Sequence, residues 1–520
     1  MWSFFCSGFS ISNDTKNSIV SDLKHRGPDD NGIYHDEHAL IIMTRLAMSD
    51  NKDYSIPVIV DNNYIAFNGE LYPKGGLDTD LISEINLLDW YFQRKIHPEN
   101  SMFSYIKYNK KTKQLIFSRD HFGQKPLYIY HNNDKIILSS EIRPMLHLIR
   151  PSMNKSAVID LLTVGHPLWF ETIYSDIKIV EPGLYFKLEY SEVGYKTIEK
   201  IKLDCSLDLV EEFNQSLFRS VSECASGFRD TGVLLSSGID SYLLYSQSKC
   251  INKAFNLSFN GVDKAQDDVK NLKNQDIRDL DTELLLKKAV ASYQQPTRMT
   301  SIIMCQAFSE LINKEGYRKV ILGEGADELF QGYPRHNIDN WKLIDCLDDS
   351  YYFNVILNSK EKIEQIQRLF KFYFYSKEKW NDLSEKAFFD KYLSLEPLLR
   401  RADHLLMANS IEGRLPYLSN YVARHSIYFH KDGIKKSDLK NYAVKNGYRV
   451  VKKEKEHFRL TEDRDRNLYL KIKEVILEKI SKLEGMGVKI SKRDLDNIPS
   501  SLLFTISTFI YWRENNERFI

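Results

Sequence analysis

Leu234-Leu235-Ser236-Ser237-Gly238-Ile239-Asp240-Ser241 sets a run of hydroxyl and glycine residues between two apolar segments. Before it, Gly232-Val233-Leu234-Leu235 has the short, continuous apolar character of a buried strand. After it, Tyr242-Leu243-Leu244-Tyr245 has that of the inner side of a helix. The loop is therefore predicted to open a helix at the carboxyl end of a strand. Unpaired backbone N–H groups and the positive end of the helix dipole hold an anion at such a place. The missing side chain of Gly238 lets an oxygen approach the backbone. No lysine closes the loop, which sets it apart from the GxxxxGK(S/T) phosphate loop.

Working outward, the same texture continues from about residue 208. Ala254-Phe255-Asn256-Leu257-Ser258-Phe259 and Lys319-Val320-Ile321-Leu322 are further apolar strands, separated by longer helical patterns, as in an α/β sheet. Ile472, Val475, Ile476, Ile480 and Leu483 fall on one helical face, as a core-packing helix requires. Up to about Tyr190 the chain instead carries short alternating segments such as Gln114-Leu115-Ile116-Phe117 and Lys135-Ile136-Ile137-Leu138, broken by Asn, Asp, Gly and Lys. This is strand-and-turn texture of an α+β kind. The polar stretch from Tyr190 to Cys205 is the expected seam, giving units over 1–195 and 206–520.

Bulk properties narrow the function. A chain of 520 residues is long enough for two or more domains with a sizeable core. Lys and Arg total 72 against 71 Asp and Glu, so no net field favours nucleic acid or an anionic membrane, and neither is expected as a partner. The run from Lys435 to Lys455 is the local basic exception. Six scattered cysteines form no CxxC pair, which fits a reduced, cytoplasmic protein. The apolar start lacks a basic flank, so no secretion signal is expected, and no segment reaches the roughly 20 apolar residues of a membrane span.

Gly323-Glu324-Gly325-Ala326-Asp327-Glu328-Leu329-Phe330 follows the strand Val320–Leu322. Ligands of α/β sheets bind at the carboxyl ends of the strands, so this loop and the Ser236 loop are predicted to face one site. Carboxylates beside a phosphate grip repel the ligand unless a divalent cation lies between them. Asp240 and Asp327 are therefore the candidate ligands of Mg²⁺, a hard ion that takes carboxylate and phosphate oxygens together.

With these residues in place, the loop resembles the SGGxDS loop of ATP pyrophosphatases, and GEGADELF followed by Gly332-Tyr333 resembles the asparagine synthetase B family. Further segments agree in order. Arg401 to Leu418 is similar to the family's DRMSMAHSVEARVPFL segment, and Lys455-Glu456-His457-Phe458 to its KEQF stretch. The resemblance implies an α/β ATP-pyrophosphatase domain with additional helices, and two-step chemistry. A carboxylate attacks the α-phosphate of ATP, and a nitrogen nucleophile then displaces AMP to form an amide. It implies ATP as substrate with Mg²⁺, and Leu235, Ser236, Ser237, Gly238, Asp240, Ser241, Gly323 and Gly325 as the ATP/pyrophosphate-binding set. Lys455 matches the family lysine that neutralises charge in the transition state. Glu324 matches the glutamate that helps deprotonate the incoming nitrogen. Ser237 replaces the first glycine of the family loop, Leu322 a serine and Ser419 an aspartate.

The N-terminal segments His25-Arg26-Gly27-Pro28-Asp29, Asn68-Gly69-Glu70 and Arg119 to Tyr128 resemble the class II glutamine amidotransferase domain, which implies an Ntn-type αββα sandwich. In that domain the residue after the initiator methionine is a cysteine that attacks glutamine. Here it is Trp2, and an indole cannot attack an amide. Arg45, Asn68, Gly69 and Glu70 match the glutamine pocket, whose aspartate is Asp80 or Asp78. Cys6, the only nearby thiol, reads as a buried cysteine of an edge strand.

The resulting expectation is an ATP-dependent, AMP-forming amide synthetase with an inactive glutaminase half. It takes ammonia or an amine, with a homodimer or a separate glutaminase as further partners. The alternatives are a β-lactam synthetase-like enzyme making a specialised-metabolite amide or lactam from a substrate other than aspartate, a pyrophosphatase-type enzyme acting on nucleic acid, and an inactive scaffold.

Overall fold

The computed structural model describes residues 2–48, 55–72, 81–132, 134–191, 194–204, 212–227, 229–236, 238–258, 269–348, 350–379, 384–426, 433–445, 462–484, 488–495 and 497–519. Lys455, Ser237, Asp78 and Asp80 lie outside these residues.

Two six-stranded antiparallel sheets form the N-terminal part. The first runs, in spatial order, Ile177–Ile179, Tyr128–Asn132, Lys135–Ser139, Trp2–Ser7, Ala39–Arg45 and Asp30–His35. The second runs Gly194–Lys202, Leu184–Ser191, Leu115–Arg119, Ser101–Asn109, Asn63–Leu71 and Val58–Val60. The two-residue period of the strands sorts their side chains between layers. Phe5 points into the core between the sheets with Ile41, Met43, Ile106 and Leu138. Phe4 and Cys6 point the other way, with Ile19 and Leu23 of the helix Asn13–Leu23. On the far side Ile65, Phe67 and Phe103 of the second sheet receive Ile85 and Leu88 of the helix Leu81–Gln93. Helix, sheet, sheet and helix thus stack as the αββα sandwich expected. Because both faces are covered, Ala39–Arg45 is buried along its whole length rather than alternating.

Trp2–Ser7 pairs with Ala39–Arg45 on one side and Lys135–Ser139 on the other, so Cys6 sits in a central strand rather than at an edge. Alternation in a sequence shows which face a residue takes but not how many neighbours its strand has. Burial pushes the Cys6 thiol well above its ordinary range, leaving it a core residue. Most of the polar stretch 190–205 forms the strand Gly194–Lys202, whose outer residues are exposed at the sheet's edge.

The C-terminal part is built on a five-stranded parallel sheet in the order Leu272–Asp276, Ile251–Ser258, Thr231–Leu234, Lys319–Ile321 and Glu412–Arg414. Val233, Ala254, Phe255, Val320 and Ile321 are fully enclosed, as parallel strands covered by helices must be. The helix Arg466–Glu484 turns Ile472, Ile476 and Leu483 into the core, with Val475 and Ile480 at its margin.

The helix Glu396–Met407 joins the two parts. Arg26, wholly buried, donates to Glu141 at 2.8 Å and pairs with Asp403 of that helix. Lys125 lies 3.4 Å from Asp403, and the Tyr128 hydroxyl 3.0 Å from His404 Nε2. Two turns earlier, Glu396 pairs with His166 at 2.8 Å. Each buried charge has an opposite partner, the condition under which ions remain inside a protein.

Candidate active site

Thr231–Leu234 and Lys319–Ile321 lie side by side, so the loops that follow them meet. After Leu235, whose N–H still bonds to Phe255 at 2.8 Å, the chain turns through Ser236 and enters the helix Ile239–Gln247. The turn is held by hydroxyls. Ser241 Oγ accepts from the Ser236 N–H at 3.0 Å, and Ser236 Oγ accepts from the Gly238 N–H at 3.2 Å. Gly238 has φ −76°, which any residue adopts. A Cβ there would meet only Ser236 Oγ, at 3.1 Å, so this glycine supplies open space rather than an unusual backbone angle.

The acidic loop packs directly against this turn. A Cβ on Gly323 would sit 3.5 Å from Asp240 Cβ. Gly325 has φ +93°, and a Cβ on it would come within 2.5 Å of Leu418, so two independent constraints require glycine there. The following short helix, Ala326–Leu329, carries Asp327 toward Asp240. The two carboxylates converge on one cation, the ammonium of Lys436, which pairs with Asp240 and lies 2.8 Å from Asp327. Burial works against the ammonium, but the two carboxylates hold its pKa above the ordinary lysine value. Asp240 is anchored from behind, its carbonyl accepting from the Tyr417 hydroxyl at 3.0 Å. In the same loop, burial beside Asp327 pushes Glu328 up to about 7, and the Tyr333 hydroxyl donates to it.

Glu324 faces Arg401 of the helix Glu396–Met407 across 2.7 Å, and the same guanidinium donates to Ser301 at 2.6 Å. Leu322, in the place of the family serine, is buried and offers only its N–H, which bonds to the Arg414 carbonyl at 3.0 Å. Ser419, in the place of the family aspartate, caps the following turn at Val422 N.

The residues that match a glutamine pocket in sequence lie in the sandwich. Asn68 is buried and donates to Ser104 at 3.4 Å. Gly69, at φ +140°, approaches the Met102 carbonyl so closely that a Cβ would lie 1.9 Å from its oxygen. The backbone of Trp2 pairs with Thr44, one residue before Arg45. Two of these side chains are engaged within the protein. Arg45 pairs with Asp30 at 2.7 Å, and Glu70 faces Arg414 at 3.3 Å. Arg414 also binds Glu412 at 2.8 Å. One arginine between two carboxylates leaves them unequal: burial raises Glu70, while Arg414 keeps the more closely bound Glu412 low against the same burial.

Thus the structure brings Ser236, Gly238, Asp240, Ser241, Gly323, Glu324, Gly325 and Asp327 together, and holds Arg45, Asn68, Gly69 and Glu70 in a separate cluster. Lys436, Arg401 and Arg414 were not singled out by sequence. Arg401 and Arg414 lie within the quoted family-like segment, and Lys436 lies in the basic run where only Lys455 drew attention.

A parallel sheet whose adjacent strands end in a hydroxyl-held turn and an acidic loop is coupled here to an αββα sandwich, and the matches that follow place the chain among ATP-dependent carbon–nitrogen ligases. Comparison with known sequences agrees. Residues 6–198 match the family described as a glutamine amidotransferase domain, and residues 212–427 the family described as asparagine synthase. Glutamine-hydrolyzing asparagine synthetase 1 of Bacillus subtilis (strain 168) is 26% identical over 480 residues, which covers 77% of this chain and 75% of the relative. A putative glutamine-hydrolyzing asparagine synthetase 1 of Methanocaldococcus jannaschii is 22% identical, covering 82% of this chain and 79% of the relative. Amidase chry2 of Gibberella zeae is 23% identical over 61% of this chain and 55% of its own length. The chain thus pairs a glutamine amidotransferase domain with an asparagine synthase domain. None of the described helices is long and apolar enough to cross a membrane.

Proposed function

We propose that the chain activates a carboxylic acid as its acyl-adenylate and joins ammonia or an amine to it, with no glutamine hydrolysis in its N-terminal part. The observation that carries this reading is the convergence of Asp240 and Asp327 on the Lys436 ammonium beside the Ser236–Ser241 turn, a place for positive charge that a metal ion would take over from the lysine. Carboxylates so arranged suit Mg²⁺, since hard cations bind through carboxylate oxygens. Asp240 and Asp327 would hold the ion, which when bound neutralises the phosphates of ATP. The turn of Leu235, Ser236, Gly238 and Ser241, with Gly323 and Gly325 opposite, would receive the pyrophosphate, together with Ser237, which lies outside the described residues.

In the first step a carboxylate oxygen attacks the α-phosphorus and the bond to pyrophosphate breaks. In the second, the nitrogen attacks the acyl carbon, AMP leaves with its oxygen, and Glu324 takes the proton the nitrogen sheds. Arg401 keeps Glu324 oriented toward that nitrogen. Lys455, outside the described residues, would neutralise the charge that develops on phosphate and carboxylate. The relatives named asparagine synthetase make aspartate the first acid to try, and the amidase among the relatives keeps other acids in view.

The loss of glutaminase activity rests on Trp2 in place of a nucleophile and on the pairings of Arg45 with Asp30 and of Glu70 with Arg414. Exchange of labelled pyrophosphate into ATP, run with aspartate and a panel of other carboxylic acids, tests the proposal. Acid-dependent exchange supports it. Bound ATP with no exchange under any acid would favour an inert scaffold.

A further inference from the structure

Away from both clusters, a pocket of 480 Å³ opens between the segment Arg150–Met153 and the end of the helix Ser500–Asn516. Its walls carry three arginines, Arg150, Arg513 and Arg518. None pairs with a carboxylate among the described residues, whereas Arg26, Arg45, Arg318, Arg335, Arg368 and Arg414 all do. Of the acids nearby, Asp22 binds His147 at 2.8 Å and Glu514 binds Lys479, which leaves Glu517, next to Arg518 in the chain, against three arginines.

Two of the guanidiniums are also prearranged. Phe519 is buried to 4% exposure, and its ring lies 4.6 Å from the Arg518 guanidinium and 5.5 Å from that of Arg150. Arg150 is further fixed by donating to the Leu146 carbonyl at 2.5 Å. The helix that carries Arg513 is pinned by Trp512, which donates to the Gln294 carbonyl at 3.1 Å and meets Tyr174 edge-on. Cations held on an aromatic face lose less freedom when a ligand arrives. An arginine at a helix C-terminus ordinarily answers the partial negative charge of about one half there. Three guanidiniums exceed that charge several-fold and leave the pocket positive.

We propose that this pocket binds a small polyanion through phosphate or carboxylate groups, the ligands whose paired oxygens match a guanidinium fork. Its volume suits a small molecule. A ligand seated there spans the segment after the Arg143–His147 turn and the last helix.

Binding of tripolyphosphate and, separately, of citrate to the full chain tests this by equilibrium dialysis, with Arg150→Gln/Arg518→Gln as the variant. Tripolyphosphate has two places to bind in the unaltered protein, this pocket and the Ser236 turn. The variant is expected to lose one of them, at least tenfold in affinity, while its pyrophosphate exchange is unchanged. Loss of tripolyphosphate alone assigns a phosphate ligand, and parallel loss of citrate a ligand read by charge through either group. Equal binding of both anions by variant and parent would overturn the proposal, as would a single tripolyphosphate per chain with no citrate bound in the parent. If the double variant melts earlier than the parent without anion, Arg513→Gln is read in its place by the same criteria.

Discussion

The pairing of Arg401 with Glu324 separates the two half-reactions experimentally. Arg401→Leu removes a charged hydrogen bond of 2.7 Å from a site where the arginine side chain is 11% exposed and the glutamate 21%. Such a bond is worth about 1.5–3 kcal/mol. At 1.36 kcal/mol per tenfold change in rate, the loss amounts to about 10- to 150-fold if the pair serves the step that Glu324 catalyses. Glu324→Gln removes the base itself and is expected to cost about 10²–10⁴-fold. Amide formation should fall by these factors while pyrophosphate exchange, which precedes the nitrogen's arrival, stays within a few-fold of the parent. Because Arg401 acts through Glu324, the double substitution should be no slower than Glu324→Gln alone. Exchange slowed as much as synthesis by Arg401→Leu would refute the assignment, and so would full additivity.

Lys455→Ala is expected to slow synthesis by about 10²–10³-fold, the usual cost of deleting one transition-state charge stabiliser, and an initial-rate assay with saturating ATP reads it. Trp2→Cys should not restore glutaminase activity. Opening the Glu70–Arg414 pair costs about 2 kcal/mol or more, which alone slows glutamate release about 30-fold or more relative to a pocket in which Glu70 is free. Acid should loosen the junction between the two parts. Burial holds His404 down at about 4, so between the ordinary histidine value near 6.5 and pH 4 the unfolded chain takes up the proton and stability falls with pH. Burial alone would raise Glu396, but Arg400 and His166 hold it at about 2. Its contribution is complete above about pH 4.5 and lost as the pH falls toward 2. Melting temperatures from pH 7.5 to 3 should decline through both windows, and Glu396→Gln should flatten the lower one.

What the sequence disclosed was local. The Val233–Tyr245 pattern gave strand, turn and helix in order. The meeting of Asp240 and Asp327 followed from a general property of parallel sheets. What stayed hidden depends on distant parts of the chain. Lys436 reaches across 196 residues to Asp240, and Arg26 across 377 to Asp403. Nothing in the residues beside them records such pairs. Arg414 illustrates the limit: it stood in a recognised segment, yet only the structure sets it between Glu412 and Glu70. Cys6 was read correctly as buried and wrongly as peripheral, since its neighbours Leu40 and Ile137 come from separate strands.

Transfer of ¹⁸O tests the central claim most directly. With the acid that drives exchange labelled in its carboxylate, plus ATP and ammonium, an acyl-adenylate route delivers one ¹⁸O atom to the phosphate of AMP for each amide formed. Unlabelled AMP, or label appearing in inorganic phosphate alongside ADP, would contradict the account.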